Sequence, residues 1–182
     1  MSRETRQRRG WLPELAVAVA VSLALVFFVV RPFFVEAFLI TSNSMAPTLR
    51  PGDRVLANKL TYRFSDPGRG DVVAFEGSAD DGQTGQVLVK RVVATSGDTV
   101  EFRDGTLRIN GELYKEPYIE VGSPSGKTQE PLKVPEGSVF VMGDNRVASM
   151  DSRDYGPIPI SSLRGNVSLI FWPADRFEGL PR

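Results

Sequence analysis

The chain holds no His and no Cys among its 182 residues. That removes Ser-His-Asp triads, thiolate nucleophiles, disulfides and most zinc sites. Any hydrolytic chemistry is left to hydroxyls, carboxylates or five lysines: Lys59, Lys90, Lys115, Lys127 and Lys133. A hydroxyl nucleophile needs a base, and a neutral lysine can serve. An ordinary lysine titrates near 10.4, so work near neutrality requires desolvation worth about 3–4 kcal/mol. Lys115, Lys127 and Lys133 lie beside Glu, Gly, Ser, Thr or Pro and read as solvated. Lys59 ends an apolar run beside Asn58 and Leu60, an intermediate case. Lys90 stands inside QVLVKRVVA, where period-two alternation puts it on one face with Leu88, Val92 and Ala94. Arg91 falls on the other face and stays charged. Lys90 is the base candidate; the competing reading is a gatekeeper lysine on an edge strand.

Two further segments carry reactive groups. TSNSMAPTLRPGD, residues 41–53, sets Ser42 and Ser44 in a Ser-Asn-Ser turn straight after the apolar Val35–Ile40 run, with Pro47 and Pro51-Gly52 stiffening the exit. A rigid turn at a strand end exposes a hydroxyl and fixes nearby backbone N–H groups. Ser and Asn are also ordinary turn formers, and that reading stays open. GDNRVASMDSRDYGPIP, residues 143–159, brings Asp144, Arg146, Ser149, Asp151, Arg153 and Asp154 close together. Dense alternating charge after an apolar run reads as a salt-bridged turn, and the interleaved arginines oppose a divalent metal loop.

The elements that must position these groups fall into two parts. Arg3, Arg6, Arg8 and Arg9 against Glu4 give residues 1–10 a basic excess. An apolar run, Trp11–Val30, follows; as a helix it would be about 30 Å long, matching a bilayer core. It has no polar stripe and exits into Arg31-Pro32-Phe33-Phe34 without a small-x-small site, which favours an uncleaved anchor over residues 11–31. The basic residues place the tail in the cytoplasm and residues 32–182 across the membrane. Beyond Pro32 the expected strands are Val35–Thr41, Arg54–Lys59, Asp71–Phe75, Val87–Ala94, Thr99–Arg103, Thr106–Ile109, Ser138–Met142 and Val167–Phe171. Asp104-Gly105 and Asn110-Gly111 mark tight turns, and 116–135 reads as a surface excursion. The expected fold is mainly β: an N-terminal transmembrane helix, then an all-β, barrel-like domain with a small hairpin insertion at 99–136. Lys and Arg together number 22, equal to Asp and Glu together, so no basic field exists to hold nucleic acid.

These segments, in this order behind one anchor, resemble type I signal peptidases, the membrane-anchored Ser/Lys proteases that remove signal peptides. SNSMAPTL at 42–49 is similar to the nucleophile box, RGDVVAF at 69–75 to the third segment, and KRVVATSGD at 90–98 to the lysine segment. GDNR at 143–146 and DSRDYGPIP at 151–159 resemble the final signature. The resemblance implies Ser44 as nucleophile, Lys90 as base, an oxyanion hole from the Ser44 N–H and the Ser42 hydroxyl, Ser149 orienting the lysine, and Asp151 with Arg153 as a supporting ion pair. It also implies precursor proteins as substrates, no cofactor or metal, and a plasma or thylakoid membrane location, single-pass. Asn43, Ala46 and Val147-Ala148 depart from residues common in the family. Phe33, Phe34 and Phe171-Trp172 are candidates for contact with the bilayer surface. Two rivals are a Ser/Lys protease of the self-cleaving repressor kind, opposed by the anchor, and a membrane-tethered β module without catalysis.

Overall fold

A computed structural model describes residues 11–78, 84–120, 123–124 and 129–180. The basic tail at 1–10 and Lys127 lie outside the described residues. The chain divides into two compact units, parting between Val35 and Glu36.

The first unit is helical. Helix α1 (Trp11–Leu25) runs into a π-helical turn (Val26–Val30) and a short helix α2 (Arg31–Phe34). Leu, Val and Ala fill α1, and its single carboxylate, Glu14, sits in the first turn, where the helix dipole favours a negative charge. Trp11–Phe28 is long and apolar enough to cross a membrane, and none of it is buried within the chain. A bilayer core is thick and apolar enough to take up such a helix.

The second unit is built from strands: β1 (Val35–Leu39), β2 (Arg54–Asn58), β3 (Val72–Glu76), β4 (Val87–Ala94), β5 (Thr99–Arg103), β6 (Thr106–Ile109), β7 (Glu112–Leu113), β8 (Gln129–Lys133), β9 (Ser138–Met142), β10 (Ile158–Pro159), β11 (Leu163–Trp172) and β12 (Glu178–Gly179). Short helices α3 (Thr61–Phe64) and α4 (Ser152–Tyr155) cap loops. The main sheet runs β1-β2-β11-β3-β4-β9-β10, with β12 against β11. Apolar residues dominate β3, β4 and β9, whose central positions are buried. Three apolar clusters form the core, around Leu49 and Ile170, Val93 and Leu107, and Phe75 and Val141.

The expected barrel-like closure is not made. The sheet path ends at β1 and β10 with no ladder joining them, so the sheet is curled but open. Register shifts along β11, at Leu163/Gly165, Val167/Leu169 and Ile170/Trp172, supply the bending. Instead of pairing, β1 and β4 border a common cavity.

The insertion is larger than a hairpin. It is a second sheet, ordered β7-β6-β5-β8. The Asp104-Gly105 turn joins β5 and β6 as expected, both residues having positive φ (51° and 75°). Asn110-Gly111 does the same between β6 and β7, with φ of 55° and 83°. β8 lies in the stretch that reads as a surface excursion. Its Pro131 fits because β8 is an edge strand, where one missing N–H costs no ladder bond.

Candidate active site

Ser44 sits on the loop that follows β1. The base of that loop is closed by backbone bonds: Ile40 donates to the Asp53 carbonyl at 2.8 Å and Gly52 donates to the Ile40 carbonyl at 2.9 Å. Met45 and Leu49, 1% and 0% exposed, bury the loop's inner side in the core and fix its height above the sheet. The Thr48 hydroxyl donates to Asp144 at 2.6 Å, and Arg176 donates to the Thr48 carbonyl at 3.0 Å. Ser44 is left buried at the loop's edge, with its hydroxyl 3.1 Å from that of exposed Ser42.

Lys90 lies on β4 between β3 and β9, so the edge-strand gatekeeper reading does not hold. It is 4% exposed, and its Nζ donates to Ser149 Oγ at 2.9 Å. Among the described residues this hydroxyl, not a carboxylate, is its hydrogen-bond partner. Burial pushes the ammonium down to about 8, with the nearby Asp151 charge opposing the shift in part. Ser42, Ser44 and Lys90 line one cavity of about 340 Å³, walled by Phe38, Ile40 and Val89 among others.

The segment after β9 joins the two sides. Asn145 N–H donates to the Ser44 carbonyl at 3.0 Å. Gly143 packs so closely that an added Cβ would collide with the Ser44 carbonyl oxygen and the Ser149 side chain. Only glycine fits there. Asp151 is fully buried, accepts from Gly143 N–H at 2.9 Å, and is gripped by Arg153 through Nε at 2.8 Å and Nη2 at 2.9 Å. It also caps α4. Burial works to raise the Asp151 carboxyl, but the Arg153 and Gly143 donors outweigh it and hold the group below the usual range. Arg153 Nη2 also donates to the Ser149 carbonyl at 3.2 Å, so the Asp151–Arg153 pair braces the residue that holds Lys90. Val147-Ala148 still makes a turn, with Ala148 N–H on the Asn145 carbonyl at 3.2 Å.

Every sequence-expected site residue, namely Ser42, Ser44, Lys90, Ser149, Asp151 and Arg153, is therefore in one connected cluster. Among the described residues Ser44 and Lys90 are not hydrogen-bonded to each other; Ser44 bonds Ser42 and Lys90 bonds Ser149.

Two pairs escaped the sequence reading. Arg91 is fully buried and grips Asp144 through Nε at 2.9 Å and Nη2 at 2.8 Å, donates to the Gly70 carbonyl at 2.8 Å, and stacks 4.0 Å from the Tyr118 ring. Arg146, also buried, is paired with Glu116. An arginine inside an apolar strand announces that a carboxylate must meet it. The sequence does not say which one.

Known proteins similar to this chain match it along most of its length. A probable thylakoidal processing peptidase of Arabidopsis thaliana is 38% identical, over 94% of this chain and 49% of its own length. A probable signal peptidase I of Synechocystis sp. is 38% identical over 93% and 85%. A signal peptidase I of Mycobacterium tuberculosis is 34% identical over 93% and 76%. The chain thus spans about half the length of the Arabidopsis relatives and most of the bacterial ones. The family model described as signal peptidase, peptidase S26, matches residues 12–172. With that match across both the apolar helix and the strands around Ser44 and Lys90, the chain belongs to the S26 signal peptidase family.

Proposed function

We propose that this chain is a membrane-anchored serine endopeptidase that removes N-terminal signal peptides from exported precursors, cleaving after small-x-small sites with Ser44 as nucleophile and Lys90 as base. The observation that carries the reading is the state of Lys90: dry, bonded to a hydroxyl rather than a carboxylate, and in one cavity with Ser44.

A neutral Lys90 amine has two N–H bonds and one lone pair. One N–H serves Ser149, which leaves the lone pair for the Ser44 proton. Ser44 Oγ attacks the scissile carbonyl as that proton passes to Nζ. The tetrahedral oxyanion accepts from the Ser44 N–H and from the Ser42 hydroxyl, after Ser42 turns from Ser44 Oγ. Collapse breaks the C–N bond, and the leaving amine takes the proton from the Lys90 ammonium. The acyl ester on Ser44 is then attacked by water deprotonated by Lys90; as the ester C–O bond breaks, the Lys90 ammonium returns that proton to Ser44 Oγ, and the signal peptide leaves with a new C-terminal carboxyl group. Asp151 and Arg153 touch no reacting atom; they hold Ser149, and Ser149 holds the amine. Apolar walls such as Ile40, Met45 and Val89 suit small side chains on the substrate.

The anchor supports a single-pass topology, with the basic tail in the cytoplasm and the strands beyond a plasma or thylakoid membrane. The test is cleavage of a small-x-small precursor peptide by the full chain in detergent. Ser44→Ala and Lys90→Arg should each abolish turnover, the second because guanidinium stays charged. Cleavage by Ser44→Ala at the normal rate would reject the reading and favour a tethered binding module.

A further inference from the structure

The second sheet makes one contact with the site that the mechanism above does not use. After β7, the chain passes Tyr114 to Glu120 along the turn that follows β9. There the Glu116 carboxylate is paired with Arg146 through both guanidinium Nη atoms. The Glu116 side chain is 4% exposed and that of Arg146 is 0%. Tyr118 donates from its hydroxyl to Glu116 at 3.3 Å, while its ring covers Arg91. The remaining donor of Arg146, Nε, reaches the Gly143 carbonyl at 2.9 Å. Gly143 in turn abuts the Ser44 carbonyl and the Ser149 side chain, and its N–H binds Asp151. An unbroken path runs from Glu116 through Arg146 and Gly143 to the hydroxyl that holds Lys90.

The geometry points to Glu116 as a positioning residue: by fixing the Arg146 guanidinium it sets the height of Gly143, and through it the seat of Ser149 against Lys90. This rests on the Ser44/Lys90 reading and deepens it. A surface ion pair could not do the same, because a solvated arginine samples many rotamers. Here both partners are dry, the pair is bidentate, and Nε is left one acceptor. The backbone of Gly143 has no side chain to cushion a shift, so displacement there passes directly to Ser44 and Ser149.

The experiment uses the full chain with a precursor peptide and compares kcat, KM and melting temperature. Glu116→Gln should lower kcat on the order of tenfold or more while KM stays within about twofold, since an ångström of misplacement can cost up to about a hundredfold in rate. Glu116→Gln combined with Arg146→Leu removes the orphaned charge, so melting temperature should recover; kcat should not, because the Nε bond to Gly143 is lost as well. Recovery of both would overturn the inference, as it would mean that Glu116 contributes stability alone. Should the Gln variant fail to fold, Glu116→Asp keeps the charge but shortens its reach, and an unchanged kcat there would equally overturn it. Arg69→Gln, which cuts a different tie to the second sheet at Asp98, should lower melting temperature and leave kcat unchanged. The two readings fail separately: turnover by Ser44→Ala sinks the mechanism, whereas normal kcat in folded Glu116 variants sinks only the positioning role.

Discussion

At Lys90, the cost of keeping an ammonium away from water sets the strength of the proposed base. The folded chain holds that group at about 8, below the 10.5 of a solvated lysine. A base works only when neutral, so kcat/KM should climb about tenfold between pH 7 and pH 9 and then level off. A profile flat across that range would remove Lys90 from the role. Gly143 offers a second test. Gly143→Ala puts a methyl into the Ser44 carbonyl and Ser149, and we expect at least a hundredfold loss of kcat, accompanied by a lower melting temperature. At this scale much was legible. With no imidazole or thiol, few base candidates remain, and Lys90 is the one that shares a strand face with apolar Leu88 and Val92. What sequence could not supply was partnership: Arg91 and Asp144 are 53 residues apart, and nothing local in either segment names the other.

Between elements, the buried Arg91–Asp144 pair ties β4 to the turn after β9, and the Thr48 hydroxyl on Asp144 brings in the Ser44 loop. Removing one partner strands a charge in the core. Asp144→Asn should therefore destabilise the domain by about 3–5 kcal/mol, read as a shift in the urea midpoint. Arg91→Met with Asp144→Leu should recover much of that stability, because an apolar pair carries no desolvation cost. The strands themselves were well marked. β4, β5, β6 and β9 match the expected ranges, since each is a largely apolar or alternating run followed within three residues by a turn-forming Gly or Asp-Gly or Asn-Gly pair. β8 escaped because an edge strand with Pro131, Glu130 and Lys133 is chosen to resist pairing with strangers and so looks like a loop. β10 escaped because two residues show no periodicity.

For the whole molecule, the proposed reading gives attachment to the apolar helix and chemistry to the strand-built unit. Among the described residues of the second unit, Trp172 and Phe177 are 54% and 64% exposed, a surface that aqueous solvent does not favour. Residues 36–182 without the helix should retain weak affinity for liposomes through such groups, and Phe171→Ser with Trp172→Ser should reduce it several-fold in a flotation assay. An unchanged flotation would assign attachment to the helix alone. The open sheet was the part least accessible to inference: strand count and turn spacing suit a barrel as well as a curled sheet. The difference lies in whether two distant edges meet, which depends on the bends in β11 rather than on any one segment.

A dry lysine has a liability beyond its use as a base. With its midpoint lowered to about 8 by burial, the Lys90 side chain is uncharged at neutral pH far more often than a solvated lysine. An uncharged amine is open to carbamylation, so brief exposure to dilute cyanate at pH 7 should modify Lys90 ahead of Lys59, Lys115 and Lys133, with turnover lost in step. Peptide mass mapping would follow the adduct; turnover lost while Lys90 stays unmodified would refute that vulnerability. In a chain with neither thiol nor imidazole to intercept electrophiles, the lysine proposed as base would also be the one most easily poisoned.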